Sequence, residues 1–280
     1  MINLGKFHHP SVYGFHFIST PADVRNFEMH GHEGMELVFI VSGRGRYIVE
    51  GISYPIQPGD IFITQMAEIH VPEIQFAAEN YERIVLQFKP DCLTETLSTH
   101  LLAPFVERAN GTLNRYTKED ISTEYIHACA DRLFHVAKKG QAGVISYLLP
   151  ILQEVYSAWE KKRNAKEDPP DSLATKIVAH VNKHLFDLTG MEQLEKDLYL
   201  SRTHINRIFH SVTGSSVWNY VRIKRLYAAR ELLQKGTPAT TAAQKCGYQD
   251  YSTFYRAYKK QFGHSPQADY ITTMKKRNQT

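Results

Sequence analysis

At 280 residues the chain is longer than one typical domain, and its 42% hydrophobic and 22% charged content is that of a folded globular protein. It has no apolar run of the roughly 18 residues that a membrane-spanning helix needs, and its N-terminus lacks the apolar core of a secretory leader. Cys92, Cys129 and Cys246 are odd in number and far apart, which argues against a disulfide framework and for buried thiols in a reducing compartment. The expected location is therefore cytoplasmic, with no membrane partner.

The net charge of +4 is unevenly divided. Residues 171–280 carry 17 Lys and Arg against 8 Asp and Glu, whereas the remainder carries 16 against 21. The C-terminal part suits a polyanion and the N-terminal part does not.

From Tyr13 to Phe88 short apolar or alternating runs follow one another, among them 36–41, 46–49, 60–64 and 83–88. Turn residues at Gly43, Gly45, Gly51 and Pro58-Gly59 separate them. Such spacing predicts an antiparallel barrel or sandwich. Within it, His30-Gly31-His32-Glu33-Gly34-Met35-Glu36 followed by Gly43 reads His-x-His-x-x-x-Glu-x6-Gly, and Pro58-Gly59-Asp60 precedes His70. These runs resemble the two cupin motifs, the second more loosely spaced, which implies a cupin-like barrel. On extended chain, positions 30, 32 and 36 share a parity and face one side, into the barrel. With His70 they form a three-His, one-Glu set suited to Zn, Ni, Fe or Mn, or else a polar floor for an organic ligand. No cofactor follows with certainty, and a divalent metal in the barrel stays open beside a small-molecule effector, a carbohydrate or other small polar metabolite.

After Pro90 the period becomes helical, with one segment over about 119–139 and a second over 141–162. The second carries Ile145, Leu148, Leu149, Leu152, Val155, Tyr156 and Trp159 on one stripe, wide enough for part of it to pair in a homodimer. Pro150 predicts a kink or break there. A polar, Pro-containing stretch over 163–171 reads as a linker between a domain at 1–162 and one at 172–280.

Everything beyond Ser172 reads as helix. Ser172 caps a helix from Leu173, Met191–Leu198 is short, Tyr199-Leu200 turns, and Ser201 caps the next, which Gly214 ends. Ser216–Gln234 is longer, and after Lys235-Gly236-Thr237-Pro238 a second short-helix, turn, helix unit begins. The run from Gly247 to Pro266 has a Gly turn, then Asp250, Ser252, Phe254, Arg256, Tyr258, Lys259, Lys260, Gly263 and Pro266 at fixed spacing. It resembles the closing segment of the AraC/XylS family of bacterial transcription regulators. The resemblance implies an α+β protein, with an N-terminal β-barrel and dimerisation helices before an all-α tandem helix-turn-helix domain. It also implies double-stranded DNA as partner, RNA polymerase as a further one, and no enzymatic activity. Positions matching Thr203, Asn206, Arg207, Ser252, Tyr255 and Arg256 contact bases in that family. Arg202 also faces outward, and Lys259 suits phosphates. The family's aromatic-Arg pair after the last Pro is replaced here by Gln267-Ala268-Asp269-Tyr270-Ile271, which leaves the packing of the last helix open.

The linking helix of about 19 residues spans about 30 Å, close to the ~34 Å between successive major grooves on one side of DNA. Two rival readings stay open: a constitutive DNA-binding dimer whose barrel is only structural, and a metal-dependent cupin enzyme, which leaves the basic C-terminal part without a role.

Overall fold

The computed structural model describes residues 2–9, 11–20, 27, 29–75, 80–137, 141–164 and 172–277. The chain divides into two compact units, Met1–Pro170 and Asp171–Thr280.

The first unit opens with strands β1 (Ile2–His9), β2 (Val12–Ser19), β3 (Met35–Ser42), β4 (Gly45–Val49), β5 (Ile52–Ile56), β6 (Ile61–Thr64), β7 (His70–Ile74) and β8 (Tyr81–Phe88). Helices α1 (Glu95–Leu101) and α2 (Ala103–Val106), the short strand β9 (Arg115–Tyr116), and helices α3 (Thr123–Val136) and α4 (Gln141–Arg163) follow. One sheet has the order β1-β2-β8-β3-β6-β9 and the other β5-β4-β7, with antiparallel pairing throughout. Among the described residues no ladder closes them into one cylinder; they form two sheets, and His30, ahead of β3, makes an isolated antiparallel bridge to His70 of β7 with reciprocal backbone bonds of 3.2 and 2.9 Å. The β4–β5 hairpin turns on two residues, Glu50 at φ 51° and Gly51 at φ 81°, the positive-φ pair that matches strand twist in a two-residue loop.

Strand parity sorts the core into two layers. Leu37, Phe39, Ile61, Ile63, Ile84, Leu86 and Phe88 pack under the helices, joined by Leu148, Leu152, Val155 and Trp159 of α4. The alternate residues Val38, Ile40, Phe62 and Val85 pack with Tyr47, Val49 and Ile56 of the smaller sheet. β3 is thus buried on both faces, and Glu36 on its inner side comes to line a cavity.

Of the kink or break expected in helix α4, the break does not occur. The helix runs unbroken through Pro150, because burial of its stripe outweighs the one hydrogen bond the proline removes. Leu148, Leu152, Val155 and Trp159 are core residues here, while Ile145, Leu149 and Tyr156 are only partly covered. Of the stretch expected as linker, Arg163 closes α4, and 165–171 lie outside the described residues.

The second unit comprises α5 (Leu173–Lys183), α6 (Met191–Leu198), α7 (Arg202–Thr213), α8 (Val217–Gln234), α9 (Ala239–Lys245), α10 (Tyr251–Phe262) and α11 (Pro266–Arg277). Ser172, Ser201 and Ser216 cap α5, α7 and α8, their hydroxyls accepting from the amides of Thr175, His204 and Asn219. Asp250 caps α10 through the amides of Thr253 (2.6 Å) and Ser252 (3.2 Å). Both α7 and α10 end on left-handed glycines, Gly214 and Gly263.

Arg225 of α8 ties the two halves of this unit together. Its guanidinium donates to the carbonyls of Leu185 (2.7 Å), Leu188 (2.7 Å) and Gly247 (3.0 Å). The last helix forms despite its unusual sequence: Asp269 accepts from Tyr258 and lies 2.9 Å from His264 Nε2 and 3.2 Å from Arg230 Nε, and Tyr270 packs on the α8–α10 core.

Candidate functional site

Two places gather chemistry-bearing side chains, a cavity in the β unit and an exposed face of the helical unit. The cavity, about 200 Å³, is lined by His30, His32, Glu36, Tyr47, Arg83 and Gln87, with Phe15, Phe17, Phe27, Val38, Pro72 and Val85 as its apolar wall. All four residues expected at its floor come together. The ring nitrogens of His30, His32 and His70 that face one another lie within 4.8 Å. Glu36 Oε2 is 2.8 Å from His32 Nε2, and Glu36 Oε1 is 3.2 Å from His70 Nε2, the latter without hydrogen-bond alignment.

Glu36 is buried, yet it is well supplied with partners. Gln87 Nε2 donates to Oε2 at 2.8 Å and the Tyr47 hydroxyl to Oε1 at 3.4 Å. Burial opposes its charge, but His32 and His70 outweigh that and hold the carboxyl well below the usual range. Burial also pulls the His70 imidazole down, while the Glu36 carboxylate and the Glu68 carbonyl push it up and win. For Tyr47, burial and the Glu36 charge both push the phenol up.

The backbone that orients His70 is itself anchored. His70 Nδ1–H donates to the Glu68 carbonyl at 2.9 Å, which turns Nε2 towards the cluster. The buried Glu68 carboxylate accepts from Arg108 at 2.8 and 2.5 Å, from the Gly111 amide at 2.7 Å and from Asn114 at 3.1 Å. A histidine whose far nitrogen is pinned to a carbonyl is how proteins prepare an imidazole as a ligand, so the three histidines fit a divalent metal in donor type and spacing, with Glu36 beside them paired to His32.

Arg83, Gln87, Tyr47 and the three phenylalanines were not among the expected site residues. For Arg83 and Gln87 the signal is the parity of β8, where Arg83, Val85 and Gln87 alternate with Ile84, Leu86 and Phe88; alternation alone does not tell which face is the pocket.

In the helical unit, α7 buries Ile205 and Phe209 and α10 buries Phe254 and Tyr258. Opposite those contacts, Thr203, Arg207, Ser252, Tyr255, Arg256 and Lys259 are exposed and Asn206 is half-buried. Arg202 is exposed too, but it pairs with Glu192 and lies 3.7 Å from Glu195 of α6, while its amide donates to Glu195 at 2.7 Å. The turn between α6 and α7 carries Tyr199 in a left-handed conformation, φ 54°, almost fully exposed.

Helix α8 spans 18 residues, about 27 Å at about 1.5 Å per residue. It lies between the two short-helix, turn, helix units in sequence and contacts α7, α9 and α10. No helix among the described residues is long and apolar enough to cross a membrane.

A helix-turn-helix domain family matches residues 194–269, and a cupin domain family matches residues 19–74. The chain is similar to the HTH-type transcriptional activator RhaS of Escherichia fergusonii, 23% identical over 244 residues that make up 86% of each chain. It is also similar to the regulatory protein SoxS of Escherichia coli strain K12, 30% identical over 95 residues, or 34% of this chain and 88% of that one. Among solved structures, ToxT from Vibrio cholerae O395 aligns over 94% of this chain and 98% of its own, with a TM-score of 0.35 and 14% identity.

Proposed function

Because the chain belongs to the AraC/XylS family of helix-turn-helix transcription regulators, we propose that it is a cytoplasmic, ligand-responsive member that reads two adjacent major grooves. Residues 172–280 bind DNA, 1–162 bind the effector and dimerise, and 163–171 link them. Helices α7 and α10 enter the grooves, with Thr203, Asn206, Arg207, Ser252, Tyr255 and Arg256 at base edges, Lys259 at phosphates, and Arg202 on the DNA-facing side of α7.

The observation that carries this reading is the pairing of two capped helices. Each is fixed by buried aromatic or aliphatic residues and presents Arg with small polar side chains outward. The length of α8 supports a spacing of one DNA turn between them.

Small-molecule entry into the β unit then changes which half-sites a dimer holds, and so whether RNA polymerase is recruited. The cavity favours this over a purely structural β unit: polar side chains converge on its floor, where burial for packing alone selects apolar ones. His30, His32, Glu36 and His70 would hold a divalent metal if one is resident, and it would supply a Lewis-acidic anchor for an oxygen of the effector.

Fluorescence anisotropy on a duplex selected from a random pool, beside a scrambled duplex of equal length, tests the proposal. Sequence-specific binding about a thousandfold tighter than to the scramble is expected. Equal affinity for both would overturn it.

A further inference from the structure

Four residues along β8 from Gln87, at the other end of the cavity wall, stands Arg83. Its guanidinium carbon lies 5.5 Å from the ring centroid of Phe17, 5.0 Å from Phe27 and 5.1 Å from Tyr81. Aromatic rings attract the cation but accept nothing from its in-plane N–H groups. Nη1 is fully buried and has no hydrogen-bond partner among the described residues. An Arg donor held out of water without an acceptor is costly unless something supplies one.

The pocket's own carboxylate does not. Glu36 is engaged by His32, Gln87 and Tyr47, and Gln87 and Val85 separate it from Arg83 along the strand. Among the described residues no carboxylate pairs with Arg83, whose charge bears on the Tyr81 hydroxyl, and the surface around it is apolar: Phe15, Phe17, Phe27 and Val85. A volume of about 200 Å³ is the space of about seven waters at liquid density, which suits a compact organic molecule.

We propose that the effector is a small monocarboxylate with an apolar or aromatic body, its carboxylate bound by the Arg83 fork and its body seated among Phe15, Phe17 and Phe27. A planar carboxylate offers the two acceptors that a guanidinium edge matches, where a hydroxyl offers one. The end of the guest away from Arg83 meets His30, His32 and Glu36, which sets a preference for a hydrogen-bonding group there. This inference rests on the reading of the β unit as an effector pocket.

The test uses the full chain and three probes, benzoate, 3-phenylpropanoate and hexanoate, each beside its primary amide, with glucose as a neutral polyol. Thermal melting is followed for the unaltered protein, Arg83→Gln and Arg83→Lys, each first without ligand to establish that it folds. At least one carboxylate is expected to raise the melting temperature, with its amide bound at least about tenfold more weakly. Arg83→Gln is expected to erase that difference. Arg83→Lys, which keeps the charge and loses the fork, is expected to reduce it, and it carries the comparison if the Gln variant does not fold. Failure of all three carboxylates to stabilise, equal stabilisation by an amide, or full binding by the folded variants overturns the proposal. Glucose stabilising the unaltered protein and Arg83→Gln alike, with no carboxylate doing so, overturns the ligand class but leaves the effector pocket in place. A carboxylate that binds through Arg83 without altering affinity for the selected duplex supports the ligand class and removes the effector role.

Discussion

Glu36 and Gln87 are register partners on β3 and β8, and their side chains are joined by a 2.8 Å hydrogen bond on the inner face of the sheet. That bond, with His32 and His70, keeps a buried carboxylate charged in the cavity floor. Glu36→Gln preserves the shape and removes the charge. It is expected to abolish the ligand response of a reporter while ligand-free DNA affinity stays within about twofold, since the helical unit is untouched. Full response in the variant would make the floor structural only.

Arg207 and Arg256 extend from exposed faces of α7 and α10, and Lys259 lies three residues beyond Arg256. Arg207→Ala and Arg256→Ala are each expected to weaken binding to the selected duplex about 10- to 100-fold and to relax preference at one base position. Lys259→Ala is expected to weaken all duplexes alike and to flatten the dependence on salt. Titrations on selected and scrambled duplexes separate the two behaviours, and equal losses on both duplexes for the Arg variants would rule out base reading by them.

Arg225 and Gly247 hold the two halves of the helical unit in register. Gly247 sits at φ +77°, and a Cβ there would lie 2.2 Å from the Phe186 carbonyl oxygen. Gly247→Ala is expected to cost about 2 kcal/mol, from the left-handed backbone and the clash. Arg225→Met leaves three carbonyls without their donor and is expected to cost about 3 kcal/mol. Urea midpoints of a 172–280 fragment measure both, once that fragment is found to unfold cooperatively. No change for Arg225→Met would show that water replaces the guanidinium there.

Asp269 supplies a pH-dependent part of the stability of the same unit. Burial raises its carboxyl, but Tyr258, His264 and Arg230 outweigh this and hold it below the usual range. Its folded value thus lies under its unfolded one, so its contribution is complete above about pH 4 and fades as pH falls through the folded value. Asp269→Asn is expected to cost about 1–2 kcal/mol at pH 7, with the gap to the unaltered protein closing towards pH 3. A gap independent of pH would mean that shape rather than charge anchors α11.

The helical unit was legible because its punctuation is local. Ser172 and Ser201 cap and Gly214 stops, as their residue types announce, while the cap at Asp250 and the stop at Gly263 emerge from the structure. The histidine cluster was legible from parity and spacing, and the structure brings all four residues together. What escaped depended on contacts distant in sequence. Arg83 and Gln87 look like the polar face of an ordinary strand until Phe17, Phe27 and Glu36 close around them. Arg225 reads as one more basic residue on a helix, and its role appears only when the carbonyls of Leu185, Leu188 and Gly247 converge on it. Pro150 marks a break in isolation, and tertiary burial of α4 overrides it. Leu152, which on the stripe alone could equally face a partner subunit, lies in the core of its own unit.

Hydroxyl-radical footprinting on the selected duplex tests the two-groove account most directly. Two protected patches are expected on one face of the DNA, about 10–10.5 base pairs apart, with Arg207→Ala weakening one patch and Arg256→Ala the other. A single patch, or both variants weakening the same one, would contradict it.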